Sequence, residues 1–269
     1  VEKDTMNRIR IEPMHLVFAA LGGALLLFII APLAGMFINT GSGELAEVAA
    51  DAEVAASVWL TLGTSMLATL LASLSAVPFA WLLARKDFPL KKLVNGVIDL
   101  PIVIPHSAAG IALLGILAPG TPAGSVGERL GVTFVGGIAG IVAAMAFVSI
   151  PFLVNAARDG FEAVPERLEQ AALNLGASPP RVFFTISVPM AWRSIVSGLV
   201  LMWARGMSEF GAVLIIAYHP MITPVLIYER FGAFGLKYAR PVTVLFVAVC
   251  LVFFIALRMI AGRRSHAEG

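Results

Sequence analysis

Residues 21–37 read LGGALLLFIIAPLAGMF, a run with no charge and no polar side chain on any face. A half-buried strand alternates apolar and polar residues, and an outer-membrane strand repeats that alternation in segments of about ten residues. This run does neither. Extended to its polar flanks it covers 14–38, enough for a helix to cross a bilayer core, which takes about 20 apolar residues. Five further stretches meet the same test, at about 57–84, 96–117, 134–154, 191–217 and 240–261. The expectation is an all-α, polytopic membrane protein with six transmembrane helices.

Composition agrees along the whole length. The 269 residues are 59% hydrophobic and 13% charged, against about 25% charged in an ordinary soluble chain. Cys250 has no partner for a disulfide, and a small buried hydrophobe is its expected role. His15, His106, His219 and His266 lie far apart and show no metal-ligand spacing. The first span is longer than a signal-peptide core and follows Lys3, Arg8 and Arg10, so it is expected to be retained. Val1–Thr5 are set aside as a start of uncertain origin.

Lysine and arginine in the short loops orient the spans. With the N-terminus in the cytoplasm, that side holds fourteen: Lys3, Arg8, Arg10, Arg85, Lys86, Lys91, Lys92, Arg158, Arg167, Arg181, Arg193, Arg258, Arg263 and Arg264. The other side holds four, Arg129, Arg230, Lys237 and Arg240, and its first loop carries Glu44, Glu47, Asp51 and Glu53. Both termini are therefore expected in the cytoplasm, with the long connection 155–190 beside them.

That connection is helix-forming. ERLEQAALNL (166–175) places Leu168, Ala171, Ala172 and Leu175 at one-face spacing, with Glu166, Glu169 and Gln170 on the other. Gly176 stands where a helix ends in a left-handed residue. Ser178 before Pro179 and Pro180 is an N-cap followed by proline at the first helical positions. A second short helix, RVFFTISV, should follow, running up to Pro189 and into the fifth span. The segment reads as two helices joined by a rigid elbow, suited to docking in a partner's groove.

Within the membrane, Arg205 and Glu209 lie four apart in WARGMSEFGAVLIIA (203–217), where an unpaired charge costs about 2.5–3.5 kcal/mol. An ion pair is expected, on a face that either fixes packing or lines a pore, with Ser208, Gly206 and Gly211 beside it. In DLPIVIPHSAAGIALL (99–114), Pro101 and Pro105 each remove a backbone donor and loosen the third span. Asp99 is expected ahead of that helix, and His106 is expected to be hydrogen-bonded toward the bundle. Gly136 and Gly140 have the spacing of a close helix contact. Ser107 beside His106 is the one hint of a nucleophile and base, and neighbours on a helix point about 100° apart, so no catalytic residue is assigned.

EQAALNLGASPPRVFFTISVP (169–189) resembles the signature E-A-A-x(3)-G-x(9)-I-x-L-P of permease subunits in ABC importers. Gly176, Ile186 and Pro189 are in register; Gln170 and Val188 are departures. The resemblance implies a type I importer permease, one transmembrane domain over 1–269, with the insert at about 155–190 coupling it to an ATPase. The implied coupling residues are Glu166, Glu169, Ala171, Ala172, Gly176, Ala177, Ser178 and Pro179. Pro105, His106, Ser107, Arg205, Ser208, Glu209 and Gly211 are the pathway or gate candidates. The resemblance further implies a homodimer of permeases, two ATPase subunits, an external binding protein, a multi-pass place in the cell membrane, and no nucleic acid. No G-x-x-x-x-G-K-[ST] loop occurs, so ATP and magnesium would be used by the partner ATPase, and no cofactor or metal is assigned to this chain.

DLPIVIPHSAAG (99–110), WARGMSEFGA (203–212) and TPVLIYERF (223–231) resemble the oxyanion branch of these permeases, most of all the molybdate/tungstate permeases. The stretch SEFGA is shared with sulfate permeases, so sulfate or thiosulfate is the alternative cargo. An ion-coupled secondary transporter is the rival machine; it normally shows more spans, inverted repeats and more buried carboxylates.

Overall fold

The computed structural model describes residues 13–263. Lys3, Arg8, Arg10, Arg264 and His266 lie outside the described residues, as does Val1–Thr5. The elements are α1 (Pro13–Ile38), α2 (Ser42–Ala50), α3 (Ala52–Arg85), α4 (Lys91–Val103), α5 (His106–Leu117), α6 (Pro122–Arg129) and α7 (Ile138–Glu162). There follow α8 (Glu166–Asn174), α9 (Pro179–Val182), a wide π turn (Phe183–Ser187), α10 (Val188–Met207), α11 (Gly211–Ile216), α12 (Thr223–Phe234) and α13 (Leu236–Arg263).

Among the described residues, five continuous helical stretches are long and apolar enough to cross a membrane: α1, α3, α7, α9 through α10, and α13. At the third expected span, where the prolines were expected to loosen the helix, α4 and α5 pass the test together but bend by 112° between them. Ile104 is extended because Pro105 follows it, and Pro105 caps α5 without a backbone N–H of its own. Counted as one crossing, the pair makes the even number that lets both ends share a side. The fifth expected span is broken too: α10 stops at Met207 and the chain resumes as α11.

The bundle centres on α3, α7 and α10. Ala72, Ala76, Ala80 and Leu83 of α3 meet Leu153, Ala157 and Phe161 of α7 and Ala191, Ile195 and Met202 of α10. Lipid is as apolar as these side chains, so association depends on close packing, and small residues permit it. A Cβ on Gly160 would lie 2.4 Å from Ser194 Cβ. No residue of α1 is buried.

Two smaller expectations are corrected. Gly136 and Gly140 do not share a helix face: Gly136 precedes α7 at φ +68°, and its N–H donates to the Ile216 carbonyl at 3.0 Å. Asp99 lies inside α4 rather than ahead of a helix, where Asn155 Nδ2 of α7 donates to its Oδ1 at 2.8 Å.

Candidate functional site

Two places combine polar chemistry with unusual backbone. At the elbow, α8 ends in a full Schellman motif. The Ala177 N–H donates to the Ala172 carbonyl at 3.0 Å and that of Gly176 to Leu173 at 2.9 Å, with Gly176 at φ +85°. Ser178 holds the N-cap position of α9, but its hydroxyl accepts no capping bond; the second helical residue, Pro180, has no N–H to offer. As expected, the second helix continues into the fifth span. It runs into α10 through the π turn, where the Val188 N–H reaches back to Phe183. Pro189 cannot donate to Thr185, and a wide turn just before it accommodates the missing bond.

α8 buries a polar residue and leaves its apolar stripe outside. Its buried residue is Glu169, 6% exposed, while Leu168, Ala171 and above all Leu175, 89% exposed, lie on the outer side with Gln170. Glu169 was expected on the outer polar face. Counting six residues back from Gly176 puts the Glu place of the signature at Gln170, which is exposed; Glu169 stands one residue ahead of it. Its carboxylate is held by Arg85 of α3, Nε to Oε2 at 2.8 Å and Nη2 to Oε1 at 2.9 Å. Ser187 Oγ donates to Oε1 at 2.7 Å. Burial pushes the Glu169 carboxyl up, but the hydrogen bonds from Arg85, Ser187 and Trp81 outweigh it and hold the group below the usual glutamate range. Glu166, Ala171 and Pro179 are exposed, and Ala172 and Ala177 are half-buried.

The second place is where the two broken helices meet. His106 opens α5, Arg205 lies in the last turn of α10, and Glu209 sits in the break before α11. Arg205 Nη2 donates to Glu209 Oε2 at 3.0 Å, and His106 Nδ1 is 2.9 Å from the same oxygen. Glu209 Oε1 accepts the Ala212 N–H at 2.8 Å, so the carboxylate also caps α11. That cap competes with helix continuation and accounts for the break. Glu209 is fully buried, and its partners neutralise it. Arg205 Nη2 approaches both ring nitrogens of His106 within 2.9 Å, and its Nη1 donates to Ser208 Oγ at 3.3 Å. Gly211 lets the segments touch: a Cβ there would be 2.9 Å from His106 Cβ. Pro105, Ser107 and Ser208 are exposed beside this cluster.

On the far side, Arg230 of α12 binds Asp51 at 2.6 Å and Glu53 at 3.0 Å, and Asp51 also caps α3. The bond from Arg230 holds the Asp51 carboxyl below its usual range. Deeper in the bundle, Thr223 donates its N–H to Thr61 Oγ1 at 2.8 Å, joining α12 to α3. Sequence reading counted Arg85 only as a cytoplasmic positive and assigned no role to Asn155, Thr61 or Thr223. For Arg85 a signal exists: Trp81 and Arg85 are four apart at the end of a span and face one way. Among the described residues no group of three His, Cys, Asp or Glu is placed to hold a metal ion.

Residues 76–266 match the family described as binding-protein-dependent transport system inner membrane component. The chain is 45% identical over 255 residues to the molybdate/tungstate transport system permease protein WtpB of Thermococcus kodakarensis, covering 93% of this chain and 96% of that one. It is 44% identical over 256 residues to the corresponding protein of Pyrococcus furiosus, covering 93% and 96%. A bacterial alginate ABC transporter, solved with an alginate pentasaccharide-bound periplasmic protein, shares the fold with TM-score 0.74 at 17% identity over 96% of this chain and 98% of that one.

Proposed function

The chain belongs to the binding-protein-dependent transport system inner membrane component family, as an ABC importer permease most like the molybdate/tungstate permeases, and on that premise we propose that it forms half of an ATP-driven import pore for tetrahedral oxyanions. A second copy supplies the other half, two ATPase subunits dock beneath, and an external binding protein delivers molybdate or tungstate. The observation that carries the coupling is the outward apolar stripe of α8. A helix that buries Glu169 and presents Leu168, Ala171 and Leu175 outward has an apolar surface for a partner's groove. It stands on the side that the charge asymmetry assigns to the cytoplasm, where ATP is. ATP binding draws the two elbows together and opens the pore outward; hydrolysis returns it to the inward-facing form.

In the pathway, Glu209, Arg205 and His106 lock the two helix breaks to each other. The Arg205 and Glu209 charges are spent on each other, so with His106 beside them they hold the gate and leave the anion to pass along hydroxyls such as Ser107 and Ser208. Weak binding there suits an importer whose ion must leave quickly, with selection left to the binding protein.

The test is ATP hydrolysis by the reconstituted permease, ATPase and binding protein, loaded in turn with tungstate, molybdate and sulfate. Stimulation by the first two and not by sulfate is expected. Stimulation by sulfate alone would keep the machine and replace its cargo, and a permease that recruits no ATPase would refute the coupling.

A further inference from the structure

Glu169 can be buried because of Arg85. A carboxylate cannot remain ionised away from water without a compensating partner, and the guanidinium supplies a fork that meets both oxygens, at 2.8 and 2.9 Å. A lysine, a point charge, could not reproduce that geometry. Arg85 Nη2 also donates at 3.0 Å to the Val164 carbonyl, in the turn from α7 to α8. Ser187 adds the root of α10 through its own bond to Glu169. The last turn of α3, the end of α7, α8 and the π turn therefore converge on one charge pair. Other attachment of α8 is thin, since Glu169 is its one buried residue.

A basic residue at the end of α3 would suit the helix dipole in any case, and Lys86 stands next to it for that purpose. Dipole compensation does not explain the fork. What lies beyond Arg85 does. At about 1.5 Å per residue, the 34 residues of α3 make a rod that reaches the far side of the bundle, where Ser57 and Thr61 meet Thr223. Midway, Ser65 packs against Gly206 in the last turn of α10, 3.2 Å from where a Cβ would stand. That turn leads into the break that holds Glu209.

Given the ATPase coupling proposed above, we propose that Arg85 is a positioning residue for transport: the joint through which a displacement of α8 reaches α3 and α10 and so the paired helix breaks. Arg85 does not touch ATP or the ion. Loss of the joint should leave the engine running and disconnect it from the gate.

The experiment compares wild type with Arg85→Lys, Arg85→Gln and the exchanged pair Arg85→Glu/Glu169→Arg, each assembled with its ATPase and binding protein in proteoliposomes. Three quantities are read: ATPase co-purifying with the permease, tungstate taken up per ATP hydrolysed, and hydrogen exchange over 166–188 and 75–85. Arg85→Gln should retain the ATPase and its hydrolysis while uptake per ATP falls about tenfold. Arg85→Lys should fall between Gln and wild type, and the exchanged pair should recover part of the ratio. Exchange should rise in both segments of Arg85→Gln. An unchanged ratio in Arg85→Gln, or a loss of the ATPase in parallel with uptake, overturns the joint. If wild type takes up no tungstate, the cargo reading fails separately. Exchange then decides for the joint: an ATP-dependent change in 75–85 that survives in Arg85→Gln overturns it, and one that disappears supports it.

Discussion

Substitution of Gly176 isolates the backbone contribution to the elbow. Its φ is +85°, and a Cβ built there meets nothing within 4 Å. The cost of a side chain in the free permease is therefore conformational and carries no clash. An L-residue in the left-handed region costs about 1–2 kcal/mol. Asparagine tolerates that region best, and β-branched residues are the worst placed in it. The expected order of damage is Gly176→Asn below Gly176→Ala below Gly176→Val. A loss of 1–2 kcal/mol multiplies the open population of the elbow by about 5–30. The reporters are the amides of residues 176 and 177, which hold the Schellman bonds at 2.9 and 3.0 Å. Hydrogen exchange at both, in the permease without its ATPase, should accelerate in that order. In the assembled transporter, uptake per ATP should fall in the same order while membrane insertion is unchanged. Normal exchange and uptake in Gly176→Val would refute the elbow. Asparagine as damaging as valine would show that backbone strain is not the cause.

Glu209→Gln keeps the cap on α11 but leaves Arg205 without its counter-charge, a loss of about 3–5 kcal/mol for a broken buried pair. The Arg205→Met/Glu209→Gln double variant should unfold at a higher temperature than the single one, and equal stabilities would count against the pairing. Gly110→Ala puts a Cβ 2.8 Å from Ile215 Cβ and 2.9 Å from the Ala212 carbonyl oxygen. Overpacking of α5 on α11 should cost about 1–3 kcal/mol, and an unchanged unfolding temperature would mean that the two broken helices do not pack as described. The lowered Glu169 carboxyl gives a pH dependence of definite sign. Its contribution to stability is complete above the ordinary glutamate value of 4.5 and is lost as pH falls through the lower folded value. The gap in unfolding temperature between wild type and Glu169→Gln should be constant from pH 7 to 5 and close below pH 4.5; a gap that closes above pH 6 assigns it to another group.

Hydropathy located the first, second and last continuous spans to within a few residues, because a helix in lipid must satisfy its own backbone over a length set by the bilayer. It ended the fourth at 154 where α7 runs to Glu162, and set the fifth at 191–217 where the helix runs Pro179–Met207. The helix at 166–174, the left-handed glycine and the proline restart were legible for a similar reason: each is dictated by residues within one turn of the chain. The breaks were half legible. Pro105 announced the loosening of the third span, but nothing local announced that the fifth would stop at Ser208, where a side-chain cap from Glu209 to Ala212 ends it.

The inward turn of Glu169 was the largest departure. Periodicity sorts α8 into an apolar and a polar face, and in water the apolar face goes inward. Which face a membrane protein buries is decided by what waits across the gap. Here a guanidinium 84 positions earlier meets the carboxylate and leaves the leucines to the outside. Arg85 and His106 likewise had to be carried to Glu169 and Glu209 before their roles could be seen. By itself the sequence determined the helical class and the elbow, both consequences of local composition and bilayer thickness. Tertiary structure alone decided how the charges pair, because pairing depends on distances between residues far apart along the chain.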